Sequence, residues 1–168
     1  YTVYYLVQRN IQQLKEKGII TLEKAGKTSL IKLVPQIEPV NLIEAEKFKR
    51  ENFYNKYPYL RTILKKVIQQ TKSVFFILLV FGSYAKNQPR EDSDLDLLVI
   101  VPQQRQVELM ERIISSIART STIKIHETIT TEKIFVQMLG KKELNLANET
   151  KEKHILIYGS ENYYKLIS

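Results

Sequence analysis

Apolar residues return at helical intervals from Thr2 to Lys17. Val3, Val7, Ile11 and Leu14 share one face, and Gln8, Arg9, Gln12 and Lys15 take the rest of the cylinder. Gly18 stands where a helix stop is expected. Ile19 to Glu23 and Thr28 to Leu33 read as two short β-branched strands, joined through Ala25-Gly26-Lys27 with a glycine to take a positive φ. Pro35 and Pro39 bracket a break that reads as a linker. Beyond it, Leu42 to Tyr54 and Tyr59 to Thr71 are predicted helices, interrupted at Tyr57-Pro58 and rich in lysine. Tyr54, Tyr57 and Tyr59 read as packing residues between them.

The pattern changes after residue 73. Val74 to Phe81 is continuously apolar and predicts a buried strand, and Leu95 to Val101 predicts a second. Gln103 to Arg119 follows as an amphipathic helix carrying Val107, Met110, Ile113, Ile114 and Ile117. Thr122 to Thr130 predicts a third strand, Thr131 to Leu139 and Leu144 to Lys153 two helices, His154 to Tyr158 a short strand, and the residues after Gly159 a terminal helical turn. The order predicts an α/β (α+β) fold, with a mixed sheet that has helices on one face and the other left partly open. Three parts are expected: residues 1–35, a basic helical connector over 36–72, and an α/β domain over 73–168.

Composition narrows the chemistry. A chain of 168 residues with 43% hydrophobic and 26% charged content can bury a core. It has no cysteine and two histidines, His126 and His154, which excludes disulfides and thiolate metal sites and leaves oxygen ligands, hence Mg²⁺ or Mn²⁺ rather than Zn²⁺. Val74 to Phe81 is the longest apolar run, far short of the roughly 20 residues needed to span a bilayer. A cytoplasmic protein without a membrane partner is expected. The chain begins at Tyr1 rather than methionine, so further residues are expected upstream. Residues 1–72 carry 14 Lys or Arg against 6 Glu, whereas residues 73–168 carry 12 of each sign. The whole excess of +8 therefore lies in the first part, which suits either nucleic acid or simple solubility of lysine-rich helices.

The candidate chemistry lies at Glu91-Asp92-Ser93-Asp94-Leu95-Asp96. In a strand of period 2, Asp94 and Asp96 point to the same face about 7 Å apart. Their repulsion, about 2 kcal/mol at an effective dielectric of about 20, would be reversed by a divalent cation held between them. The alternative is an acidic loop, solvated and inert, at the strand's start.

Upstream, Gly82-Ser83 closes the apolar strand. Strand, Gly-Ser, a loop of about ten residues and Asp94-Leu95-Asp96 on the next strand together resemble the nucleotidyltransferase superfamily related to DNA polymerase β. The nearest likeness is to the minimal nucleotidyltransferases of archaea and bacteria, over Val74 to the end. The resemblance implies Mg²⁺-dependent (or Mn²⁺-dependent) transfer of a nucleoside monophosphate from a nucleoside triphosphate to a hydroxyl acceptor, with a partner protein among the acceptors. It also implies Asp94 and Asp96 as metal ligands and catalytic residues, and Gly82, Ser83, Lys86 and Arg90 as the nucleotide and phosphate contacts. Lys86 and Asn87 stand where the family usually has arginine and glycine. A third acid is expected on the next strand near His126, where Glu127 is the carboxylate present, so the choice between Glu127 and His126 stays open.

The first 35 residues resemble the second half of a winged helix-turn-helix element, a recognition helix followed by its wing, with the earlier helices expected before Tyr1. That implies duplex DNA as a partner, contacted by Thr2, Tyr5, Arg9 and Lys27, and a homodimer on a palindromic site. The alternative is a hairpin packed on a helix for docking or dimerisation. The rival functional reading is a DNA-binding regulator whose transferase fold is an inactive nucleotide sensor or dimerisation module.

Overall fold

The computed structural model describes residues 2–34, 39–71, 75–141, 143 and 145–167. They form two compact units, divided between Leu42 and Ile43.

In the first unit, helix α1 (Thr2–Glu16) ends before Gly18, whose φ of +67° takes the left-handed turn foreseen for it. Strands β1 (Ile20–Ala25) and β2 (Thr28–Leu33) pair antiparallel from Ile20↔Leu33 to Ala25↔Thr28, closing on Gly26-Lys27 with Gly26 at φ +62°. Ile20 is the one buried side chain of this unit among the described residues. Val3, Val7, Leu14, Leu30, Ile31 and Leu33 are exposed. The residues expected to form the linker, 35–38, lie outside the described ones.

The second unit contains the sheet. Helix α2 (Pro39–Lys56) enters it at Ile43, and α3 (Pro58–Gln70) follows with a proline at its start, where a missing N–H costs nothing. Of the span expected as a connector, residues 43–71 fall within this second unit. Phe53, Tyr54 and Tyr57 at the end of α2, with Leu60, Leu64 and Val67 on α3, are buried in the same cluster as the sheet, and burial of that apolar stripe joins the helices to it. Tyr59 is half exposed.

Four strands make a mixed sheet in the order β5-β4-β3-β6. They are β3 (Ile77–Val80), β4 (Leu95–Val101), β5 (Ile125–Thr131) and β6 (Ile155–Tyr158). β3 is antiparallel to both β4 and β6, while β4 and β5 are parallel and joined by a crossover containing a 3₁₀ turn, Gln104–Gln106, and helix α5 (Val107–Ala118). β3 is shorter than the apolar run predicted, since Phe75 and Phe76 precede it and Val74 lies outside the described residues.

The helices do not leave one face open. Leu78, Val80, Leu95, Leu97 and Val99 pack with α3 and α5 on one side. Ile77, Leu79, Leu98, Ile100 and Leu156 pack on the other with Phe135, Ala147 and Tyr163, from α6 (Glu132–Leu139), α7 (Leu146–Glu152) and α8 (Ser160–Ile167). Central strands buried on both faces read as continuous apolar runs. No helix among the described residues is long and apolar enough to cross a membrane.

Candidate active site

At the end of β3 the chain turns sharply. Phe81 is extended, its amide donates to the carbonyl of Asp96 at 3.1 Å, and Gly82 follows at φ +63°. A short helix, α4 (Gly82–Ala85), starts there, closed by Lys86 N–H to the Gly82 carbonyl at 3.0 Å. Asn87 then adopts φ +60°, a conformation that asparagine tolerates and for which glycine is the usual choice. Gly82 is required on two counts: its φ, and a Cβ placed there would lie 2.1 Å from Asp96 Oδ2. The turn containing Ser83 and the carboxylate of Asp96 are thus brought to the same corner.

Asp94 stands immediately before β4 and Asp96 is its second residue. Asp96 shares its strand phase with Leu98 and Ile100, so its carboxylate emerges on the α6–α8 side, beyond where those helices cover the sheet. The Asp94 and Asp96 side chains retain 32% and 23% exposure, enough for a ligand to reach both.

Parallel pairing with β5 decides what faces them. Asp96 is registered with His126 and Leu97 with Glu127. Glu127 therefore points to the Leu97 face, away from the aspartates, and His126 occupies the position beside Asp96, with Nδ1 3.3 Å from Asp96 Oδ1. One step earlier, Lys124 donates its ammonium to Asp94 Oδ2 at 2.8 Å, and that hydrogen bond and charge raise the lysine above its usual pKa. The Lys124 side chain is 79% exposed, so this ion pair is solvated and screened.

The loop residues divide. Lys86 Nζ donates to Glu149 Oε1 on α7 at 2.9 Å, and this bond, with a further contribution from the charge of Asp96, raises its pKa. Arg90 is exposed, its backbone amide donates to Ser93 Oγ at 2.8 Å, and its guanidinium has no acidic partner among the described residues. Lys124 and Glu149 went unassigned in the sequence; the signal for Lys124 was its shared strand phase with His126, useless until the β4–β5 register is known. Of the expected DNA contacts, Tyr5 and Arg9 are exposed on α1, Lys27 lies in the β1–β2 turn, and the side chain of Thr2 lies outside the described residues.

The donor set suits a hard cation taken up with its substrate. Among the described residues no group of three or more His, Cys, Asp or Glu is placed to hold a metal by itself. Mg²⁺ is ordinarily held by one or two carboxylates, with phosphate oxygens and water supplying the rest, and Asp94 with Asp96 meets that requirement.

Residues 63–163 match the family model described as polymerase beta, nucleotidyltransferase. No curated protein and no solved structure matches the chain.

Proposed function

The chain belongs to the polymerase β nucleotidyltransferase family, and on that footing we propose that it transfers a nucleoside monophosphate from a nucleoside triphosphate to a hydroxyl acceptor, using Mg²⁺ or Mn²⁺. The acceptor oxygen bonds to the α-phosphorus as the bond to the bridging oxygen of pyrophosphate breaks. One observation carries this reading: Gly82, at φ +63°, lies directly against the Asp96 carboxylate, which joins the Gly-Ser turn to the acid pair.

Asp94 and Asp96 would hold the divalent ion, which when bound neutralises phosphate charge and makes the acceptor hydroxyl more acidic. The chain's own groups do the positioning. Gly82, lacking a side chain, lets phosphate approach the backbone, and the Ser83 hydroxyl with the first amides of α4 donates to phosphate oxygens. Arg90, free of acidic partners among the described residues, supplies charge from the loop. Lys86 must leave Glu149 to do the same. Lys124 pairs with Asp94 and the His126 ring lies beside Asp96 before substrate arrives, and both are displaced by it.

The test is incubation with each labelled nucleoside triphosphate, Mg²⁺ and hydroxyl acceptors of protein and nucleic acid type. Labelled product that disappears in Asp94→Asn and in Asp96→Asn supports the reading; equal labelling by both variants ends it.

The lysine on Asp94 and the imidazole beside Asp96 favour one rival reading, a nucleotide-binding regulator without transfer whose first 35 residues contact duplex DNA through Tyr5, Arg9 and Lys27. It requires no label, a melting temperature raised by triphosphate, and salt-dependent duplex binding weakened by Arg9→Ala.

A further inference from the structure

A cavity of about 510 Å³ opens at the end of the sheet opposite the acid pair. β3 connects the two ends. Phe81 pairs with Asp96 at one, while at the other Gly159, held at φ +78°, sits so close to Phe76 and Ile77 that a Cβ would lie 2.8 Å from the Phe76 carbonyl. Five residues of extended chain separate Phe76 from Phe81, about 17 Å. No residue of the acid-pair corner lines this cavity.

Its walls have a definite chemistry. Arg50 from α2 and Arg61 and Lys65 from α3 bring three cations to one concavity. Arg50 commits one N–H to the Ile157 carbonyl on edge strand β6, at 3.2 Å, which leaves most of its five donors unused. Arg61 lies with its guanidinium carbon 5.2 Å from the centre of the Tyr54 ring, and its Nη2 is 3.3 Å from Glu51 Oε2. Lys65 has no acidic partner among the described residues. The other wall acid, Glu161, is taken by Lys165 at 2.8 Å, a contact that holds its carboxyl below the usual range. Burial raises the Tyr54 phenol while Arg50 and Arg61 pull it down, as expected if both guanidinium charges face that hydroxyl. Between the cations lies an apolar floor that includes Ile68, Phe75 and Tyr158.

From this geometry we infer that the cavity is a binding site for a small phosphomonoester carrying a planar ring, of the nucleoside monophosphate class, separate from the acid pair. Two guanidinium groups and an ammonium match the three terminal oxygens of a phosphomonoester, for which arginine's planar fork is the best protein partner. The aromatic and aliphatic floor suits a ring. A concavity of 510 Å³ is of the size that takes a small ligand. Ser160 and Asn162 at the start of α8 line the same opening, but the three cations carry the assignment.

The test uses the full chain in EDTA, so that binding through a divalent ion at the aspartates is suppressed, with adenosine monophosphate, ribose 5-phosphate and adenosine as calorimetric titrants. Expected is saturable binding of the monophosphate, weaker binding of the sugar phosphate and none of the nucleoside. Arg61→Gln and Lys65→Gln should each weaken the monophosphate about tenfold, and Asp94→Asn with Asp96→Asn should leave it unchanged. Lys65 is exposed, so its substitution does not endanger folding. Absence of saturable binding up to about 1 mM, or binding indifferent to Arg61 and Lys65, overturns the inference. Binding lost only in the aspartate variants also overturns it, while leaving the proposed transfer site standing.

Discussion

Asp96 and Gly82 belong to different strands' ends, yet the carboxylate of one fills the space where the other would carry a side chain: an added Cβ would meet Oδ2 at 2.1 Å. Backbone and carboxylate are packed together here, so the position of the Gly82 turn and that of the acid are not independently adjustable.

Gly82→Ala is expected to fail on both strain and space. A left-handed alanine costs about 1–2 kcal/mol, and the clash moves the Asp96 carboxylate. Thermal unfolding should show the lost stability, and transfer should fall about a hundredfold or more, since misplacement of about 1 Å near the reacting atoms has that effect. An alanine variant with undiminished turnover would show that this contact does not position the acid.

The counter-ions predict how metal binding responds to substitution. Lys124→Met removes an ammonium that competes with cations for Asp94, so Mn²⁺ affinity read by electron spin resonance should rise, most clearly at low salt where exposed charges are least screened. His126→Asp places a third carboxylate beside Asp96. It should tighten Mn²⁺ about tenfold or more while lowering the melting temperature of the metal-free protein, because like charges are then crowded without compensation. An unchanged affinity in both variants would show that neither position faces the ion.

A buried polar cluster between α2 and the residues around β6 predicts a pH dependence. His154 is buried against Glu46, with Nε2 3.8 Å from Glu46 Oε1, and that same oxygen accepts from Lys49 at 3.4 Å and from Tyr164 at 3.1 Å. The Tyr163 ring lies tilted against the imidazole, centroids 5.0 Å apart, and its hydroxyl has no partner among the described residues. Burial, then the Lys49 charge, hold His154 below its usual pKa despite the carboxylate, whose charge Lys49 and Tyr164 already answer. A depressed folded pKa means that the unfolded chain takes the proton first. The contribution is therefore full above about 6.5, the unfolded value, and is lost as pH falls below it. Melting temperature should drop from pH 7 to pH 5, and His154→Asn should flatten that part of the profile. A wild-type profile flat over this range would contradict it.

Leu64 tests where α3 belongs. It has no exposed surface and packs with the sheet, so Leu64→Ala should cost the second unit about 2–5 kcal/mol by denaturant titration. A loss under about 0.5 kcal/mol would mean that the helix does not share the core of the sheet.

Much of this molecule follows from spacing along the chain. The strand Leu95–Val101 occurs with the bounds that its apolar run predicts, and the glycines at 18 and 26 turn where local geometry demands. A glycine closing one apolar run and acids opening the next were legible as strand-end features; the resemblance put them together, and the structure sets Gly82 against Asp96. Local periodicity carries such information, since a residue's face depends only on its neighbours in sequence.

Register between distant strands does not. Leu97 opposite Glu127 and Asp96 opposite His126 is a choice that a one-residue slip would reverse, and it is made by the packing of both sheet faces, which the chain's pattern suggested for one face only. For the same reason, α3 joining the core, Lys124 on Asp94 and three cations around one cavity became visible only in three dimensions. Each depends on side chains far apart in sequence meeting where burial of apolar surface brings their elements together.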